Sequence, residues 1–440
     1  MKPHLKRILV SPVFITGFAF ALRMLLLYMG SRSAPNPVRD DLPYGYELGQ
    51  VARSIAAGKG FSSPLGLLTD TGPTAWFTPI YPYLVAGIFK LWGTFSGMSH
   101  ILIQTMNCAF AALTIIPIYG IAKRSFGEGV AISAAWTWVF LPSALYFPIM
   151  WVWDTALVAL IFPLIFWATL AMREKHGILP WAGYGALWAI GILINPAILS
   201  VFPFFLAWLA WEARKAGIPW VRPATGALLV FAICLVPWTI RNYRVFGKFI
   251  VLRSNFGLEL WLGNNPEVTD TMGHGQHPTG NPEEAAKYKR MGEVAYMAEK
   301  QHEALAYIRT HPSETLNFMF RRFVDIWLAS SDSPLDVWSS GNLIGISSTL
   351  LNCLLSVSCL FGALFAYRGR HPEAAPFATV LLVFPFVFYL THSYQRYRFP
   401  MDPIMLILAA SAVAHLISLV RSRKPNAKRA AAPASSLPAL

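Results

Sequence analysis

The sequence predicts an all-α polytopic membrane protein, and three observations carry that prediction. The 440-residue chain is 55% hydrophobic and only 13% charged, where a soluble domain carries roughly a quarter charged residues. Long apolar runs follow one another, broken mainly by two polar interruptions, Ser31 to Phe77 and Arg241 to Asn342. Basic residues cluster at the ends of those runs: Lys6 and Arg7, Lys123 and Arg124, Arg173 and Lys175, Arg214 and Lys215, Arg368 and Arg370, Arg421 and Arg423. A net charge of +14 spread in this way is the positive-inside pattern of a multipass protein and excludes a nucleic-acid partner.

A spanning helix needs about 20 mostly apolar residues. About ten segments qualify as transmembrane helices: residues 8–30, 100–122, 128–149, 153–172, 177–195, 197–211, 224–240, 343–367, 374–391 and 400–420. With the N-terminus inside, each basic cluster is cytoplasmic, both termini are cytoplasmic, and the two interruptions share the outer side with the loop Thr391 to Phe399. Pro79 to Gly93 is short, holds Pro79, Pro82 and Lys90, and reads as a helix lying in the outer interface. The first run is longer than a signal-peptide core and lacks a cleavage site, so it is expected to be retained. The expected organisation is a transmembrane module over 1–240 with a first outer loop over 31–99, an outer loop domain over 241–342, C-terminal transmembrane helices over 343–420 and a disordered basic tail over 421–440.

The outer loops hold the residues that read as chemistry. Leu48, Val51, Ala52 and Ile55 follow helical spacing, with Gly58 and Gly60 as a stop. Glu47 borders that apolar stripe, where desolvation raises a carboxylate's proton affinity. Asp40 and Asp41 precede the helix and suit N-terminal capping. Asn281-Pro282-Glu283-Glu284 starts another helix, with Met291, Val294, Ala298, Leu305 and Ile308 as its apolar face; His311-Pro312 ends it, and a second helix carries Arg321 and Arg322 to about Leu328. His274 and His277 lie in a glycine loop without a carboxylate pair or a cysteine nearby, which reads as a flexible loop rather than a metal site. All four cysteines fall inside apolar runs and suggest neither disulfides nor a metal cluster. No Asp-x-Asp pair or glycine-rich phosphate loop is present, which argues against a soluble nucleotide-sugar donor used with a divalent metal.

Several stretches taken together resemble a known family. They are Ala52-Arg53-Ser54-Ile55-Ala56-Ala57-Gly58-Lys59-Gly60-Phe61, Pro79-Ile80-Tyr81-Pro82, Pro237-Trp238-Thr239-Ile240-Arg241-Asn242-Tyr243 with Phe246-Gly247, Gly257-Leu258-Glu259-Leu260-Trp261, Gly263-Asn264-Asn265-Pro266 and Arg396-Tyr397-Arg398-Phe399-Pro400. Their order and spacing resemble the GT-C membrane glycosyltransferases that use polyprenyl-phosphate sugars, in particular the bacterial relatives of dolichyl-phosphate-mannose–protein mannosyltransferases and of lipid A aminoarabinose transferases.

The resemblance implies a GT-C fold and an inverting, metal-independent transfer without a cofactor. A sugar passes from a polyprenyl-phosphate donor to a protein, lipid or glycan acceptor at the outer face of the cytoplasmic membrane, with a first-loop carboxylate as base. The family pattern places an Asp at a distance from Ala52 where Tyr44 stands here, so the base is Glu47 or Asp41, with Glu47 favoured. Asp154 matches the family's second acid, and its position also suits a helix cap. Arg241, Arg396 and Arg398, at span ends, suit bidentate contact with the lipid phosphate, although interfacial arginines also anchor helices. Tyr397, Asn264 and Trp76 complete the expected substrate contacts, Trp76 by stacking on sugar. A transporter of lipid-linked sugars is the alternative, and a non-catalytic assembly protein a third. The large one-sided loops and the lack of an internal repeat favour the enzyme.

Overall fold

The computed structural model describes residues 7–31, 44–66, 70–268, 274–328 and 343–423. Asp40, Asp41 and the tail from residue 424 lie outside the described residues, as does the side chain of His274. Apolar runs adopt helices because a helix satisfies its own backbone polar groups where lipid cannot. After α1 (Pro12–Ser31), the first loop folds into α2 (Glu47–Ala56) and α3 (Ile80–Trp92), which pack on each other. Next come α4 (Gly97–Leu113) and α5 (Ile115–Phe126), which together make one 30-residue span. α6 (Glu128–Phe140) and α7 (Pro142–Met150) form a span bent by 46°. Then follow α8 (Thr155–Met172), α9 (Ile178–Ile194), α10 (Phe202–Lys215) and α11 (Val221–Phe246). The second interruption holds α12 (Phe256–Gly263), α13 (Pro282–Met291), α14 (Glu293–Thr310) and α15 (Pro312–Leu328). The chain closes with α16 (Leu343–Arg368), α17 (Ala374–Val383), α18 (Phe386–Leu390), α19 (Gln395–Arg398) and α20 (Asp402–Arg423).

Among the described residues seven helices are long and apolar enough to cross a membrane, or eight with the bent pair counted as one span. Two of the expected spans, 177–195 and 374–391, are shorter apolar helices here, so length and composition alone do not reach ten. α9 has 17 residues, about 25 Å of rise. Both segments still run from end to end of the bundle. Glu373, before α17, meets Arg124 at 3.1 Å, which in turn meets Glu174 at 2.7 Å. At the far end Asn195, after α9, donates to Asp154 at 2.9 Å, and Thr391, after α18, lies against Gly263.

The segment from α12 to α15 follows its local signals at the ends of helices but not in its buried face. Asn281 caps α13 through the backbone N–H groups of Glu283 and Glu284, and Pro312 opens α15. The expected single helix after Asn281 breaks at Gly292, whose φ is +76°, a value that favours glycine. This turns Ala298 and Leu305 outward and buries Glu293 and Lys300 instead. Both charges are met: Lys300 reaches Glu284 at 3.0 Å and sits 3.6 Å above the Trp261 ring.

Arg23, the main ionisable residue near the centre of an expected span, is fully buried. Its Nη2 donates to the Trp138 carbonyl at 3.4 Å and its Nε to the Ala144 carbonyl at 3.0 Å. These carbonyls stand four residues before Pro142 and Pro148 and have lost their helical donors for that reason. The cation therefore completes the bent span. Replacing Arg23 by Met leaves both carbonyls unpaired and should cost about 1–3 kcal/mol, seen as a lower Tm in nanodiscs with Arg23→Lys in between.

The orientation expected from the basic clusters has its own test. In a cysteine-free background, a single cysteine at the exposed position 283 should react with a membrane-impermeant thiol reagent in intact cells, and one at the exposed position 175 should react only after lysis.

Candidate functional site

One cavity of about 590 Å³ lies at the loop end of the bundle. It is enclosed by α2, the turn before α8, the turn after α9, the segment leading into α12, the His277 loop and the stretch from Phe384 to Pro400. Of the residues expected from sequence, Glu47, Asp154, Trp76, Arg396 and Tyr397 all line it.

Glu47 reaches the cavity through an unusual turn. Gly45 has φ +83°, and a Cβ on it would stand 2.1 Å from the Val152 carbonyl oxygen, so only glycine lets the first loop dock on the turn before α8. Tyr46 follows with φ 45°, and α2 begins at Glu47. Glu47 is 6% exposed. Burial pushes its pKa up to about 7, opposed by a hydrogen bond to its own backbone and by the Arg396 charge, with Glu259 adding to the rise.

Asp154 occupies the cap position of α8 but makes no side-chain cap hydrogen bond. It accepts from Asn195 Nδ2 at 2.9 Å instead. Burial raises its pKa above the usual carboxylate range, with Asn195, Arg253 and Arg396 opposing.

Arg396 stands among aromatic rings: Trp153 at 4.4 Å, Tyr394 at 4.9 Å, Tyr397 at 5.4 Å and Trp151 at 5.5 Å from its guanidinium carbon. Its Nε is buried without a hydrogen-bond partner. No ion pair involves it among the described residues. Beside it runs a polar chain that the sequence did not single out. Glu259 Oε2 lies 3.4 Å from His392 Nδ1, and His392 Nε2 lies 2.8 Å from the Tyr397 hydroxyl. Arg253 approaches Glu259 at 3.7 Å and donates to the Trp76 carbonyl at 2.8 Å. A Cβ on Gly263 would stand 1.6 Å from the Thr391 oxygen, so the bare backbone of α12 is what brings Glu259 to His392. Burial, helped by Arg322 and Arg396, drives the His392 pKa down to about 3.

Three expected contacts lie elsewhere. Arg241 spends its guanidinium on the carbonyls of Thr74 and Phe61, each at 2.6 Å, and stacks on Trp238, which makes it a clamp on the first loop. Arg398 is 1% exposed and bonded to Asp402 and the Trp327 carbonyl, each at 2.7 Å. A short helix turns Arg396 and Arg398 to different sides, so the cavity receives only the first. Asn264 is buried and donates to the carbonyls of Leu260 and Leu390. Asp41 lies outside the described residues. Sequence reasoning passed over Arg253, Glu259 and His392 and placed His277 in a flexible loop. Glu259 did lie inside one of the stretches quoted for the resemblance, which was the available signal.

Residues 76–240 match the family model described as dolichyl-phosphate-mannose-protein mannosyltransferase. Among solved structures, the apo oligosaccharyltransferase of Archaeoglobus fulgidus is similar over 93% of this chain and 51% of its own, at 15% identity and TM-score 0.55. The same organism's oligosaccharyltransferase AglB, in complex with an inhibitory peptide and a dolichol-phosphate, is similar over 99% of this chain and 53% of its own, at 15% identity and TM-score 0.53. ArnT from Cupriavidus metallidurans bound to undecaprenyl phosphate matches over 91% and 78%, at 13% identity and TM-score 0.37. The chain thus spans about half the length of the oligosaccharyltransferases. No curated protein matches the sequence. The fold is the GT-C fold expected from the sequence.

The turn that delivers Glu47 is open to test. Gly45→Ala forces both a positive φ and a collision on a side chain, and should cost about 1–3 kcal/mol, read as a fall in Tm. Gly58→Ala, whose Cβ meets open space but whose φ is also positive, should cost less.

Proposed function

We propose that the chain is a membrane glycosyltransferase. It moves a sugar from a polyprenyl-phosphate donor to a protein, lipid or glycan acceptor at the outer face of the cytoplasmic membrane, with inversion. The observation that carries this is a single cavity holding a carboxylate with a pKa near 7 and an aromatic-caged arginine with no carboxylate partner among the described residues. The family model's description and the dolichol-phosphate complex of the similar oligosaccharyltransferase support it.

In this mechanism Arg396 and the Tyr397 hydroxyl hold the lipid phosphate. A guanidinium without an ion-pair partner can give its fork to an incoming anion. Val158, Leu252, Phe384, Val387 and Phe388 give the cavity an apolar side for the first units of the lipid chain. Glu47, as carboxylate, takes the proton of the acceptor hydroxyl or amine. The freed oxygen or nitrogen attacks the anomeric carbon from the face opposite the phosphate. The bond from that carbon to the phosphate oxygen breaks, and the phosphate leaves with the electron pair. Trp76 and Trp153 offer faces for sugar stacking, and Asp154, steadied by Asn195, positions the acceptor.

Mass spectrometry of lipids, envelope polysaccharide and protein glycans from a deletion strain should reveal one glycoconjugate lacking a sugar. Complementation with Glu47→Gln should fail to restore it, with turnover down by roughly 10²–10⁴-fold and donor binding retained. Because the base is needed ionised, turnover of the wild type should climb as pH rises through about 7. Arg396→Lys should weaken donor affinity, whereas Arg398→Lys should lower stability. Full activity of both Glu47→Gln and Asp154→Asn would favour the transporter.

A further inference from the structure

The His277 loop closes over Glu47, and its hydrogen bonds fix which ring nitrogen carries the proton. The Thr279 backbone N–H donates to His277 Nδ1 at 3.2 Å, and the Thr279 hydroxyl also contacts that nitrogen. A neutral imidazole whose Nδ1 accepts carries its proton on Nε2. His277 Nε2 lies 3.3 Å from Glu47 Oε1. The ring also packs 5.9 Å from the Trp76 ring, which is itself anchored by Glu293 through Thr74.

We propose that His277 is a positioning residue for Glu47: its Nε2–H, oriented by Thr279, donates to the Glu47 carboxylate and holds it ionised and aimed into the cavity. The inference rests on Glu47 being the base, but the hydrogen bond can be measured without that assumption. The charged and titratable groups facing the pair are Arg396 of α19, Glu259 of α12, Arg253 before α12, and His392 and Tyr394 before α19. Asp154 lines the same cavity. Burial holds the His277 pKa down to about 4, Glu259 opposing and Arg396 adding, so the ring stays neutral through the range in which Glu47 titrates. A neutral donor favours the carboxylate over the acid. It therefore counters the burial that lifts the Glu47 pKa, and it does so only while the outer loop domain is docked. This links the base to a loop distant in the chain through a direct tertiary contact.

The test uses the full chain in nanodiscs and infrared difference titration of the protonated carboxyl stretch, with Glu47→Gln identifying the band. The wild-type midpoint should lie near 7. His277→Phe keeps the ring volume and removes the donor, and should raise that midpoint by about one pH unit. His277→Gln places an amide N–H where Nε2–H stood and should keep it close to wild type. An unmoved midpoint in His277→Phe, or an equal rise in His277→Gln, overturns the proposal. Nitrogen NMR of the wild-type imidazole provides a check that needs no variant: a proton on Nδ1 in the neutral ring also overturns it. If Glu47→Gln proves active in cells, the base assignment falls while the hydrogen bond stands. If Glu47→Gln is inactive and the midpoint does not move, only the role of His277 falls.

Discussion

The cavity depends on one buried carboxylate. Glu293 is 4% exposed and accepts from the Ala75 backbone N–H at 2.6 Å, the Ser254 hydroxyl at 2.6 Å, the Tyr288 hydroxyl at 2.7 Å and the Thr74 hydroxyl. Taking a carboxylate out of water is costly unless its lone pairs are filled, and here they are. The donors come from the loop between α1 and α4, from the segment before α12 and from α13, so the same charge that must be satisfied holds three stretches together. Trp76 and Arg253 stand next to those anchor points, and both line the cavity. Arg241 reinforces the joint from the bundle side by gripping the Thr74 and Phe61 carbonyls.

Within that frame Arg253 and Glu259 approach each other at 3.7 Å, while Arg396, Glu47 and Asp154 are kept near one another without being paired off. Elsewhere in the protein some charges are paired directly, as Lys300 is with Glu284 and Arg124 with Glu373. In the cavity Arg396 is surrounded by rings instead, Asp154 accepts from the Asn195 amide, and the His277 imidazole stands 3.3 Å from Glu47. Aromatic faces attract a cation without neutralising it. A neutral donor likewise steadies a carboxylate while leaving its charge available. Pairing Arg396 directly with Glu47 would have produced a stable salt bridge and an inert site. In the proposed mechanism the observed arrangement leaves the cation for an anion from outside and the carboxylate for a proton.

Much of this was legible in the sequence, and the legible part is local. Helix class and one-sided loops follow from apolar run lengths and from where lysine and arginine fall. The start of α13 at Pro282 follows from a cap and a proline, and the end of α2 from the glycines after its apolar stripe, whereas its start at Glu47 after Tyr46 was not foreseen, Asp40 and Asp41 having been the expected caps. Glu47 was singled out by its place beside an apolar stripe, and Asp154, Arg396, Tyr397 and Trp76 by the resemblance and by their places at span ends; all five line the cavity.

What only the tertiary structure decided is where individual polar side chains go when neighbours in the chain have equal claims. Arg396 and Arg398 are two residues apart and chemically identical, yet one enters the cavity and the other pairs with Asp402 inside the bundle. Arg23 falls near the centre of an expected span, and only the bend puts two proline-orphaned carbonyls within its reach. His277 looked like part of a loose glycine loop until docking set it beside Glu47. Sequence determines which groups need a partner, because that need is set by burial and by proline and helix chemistry along the chain. It does not determine which partner each one finds, because that depends on distances across segments hundreds of residues apart, fixed only when the loops close on Glu293.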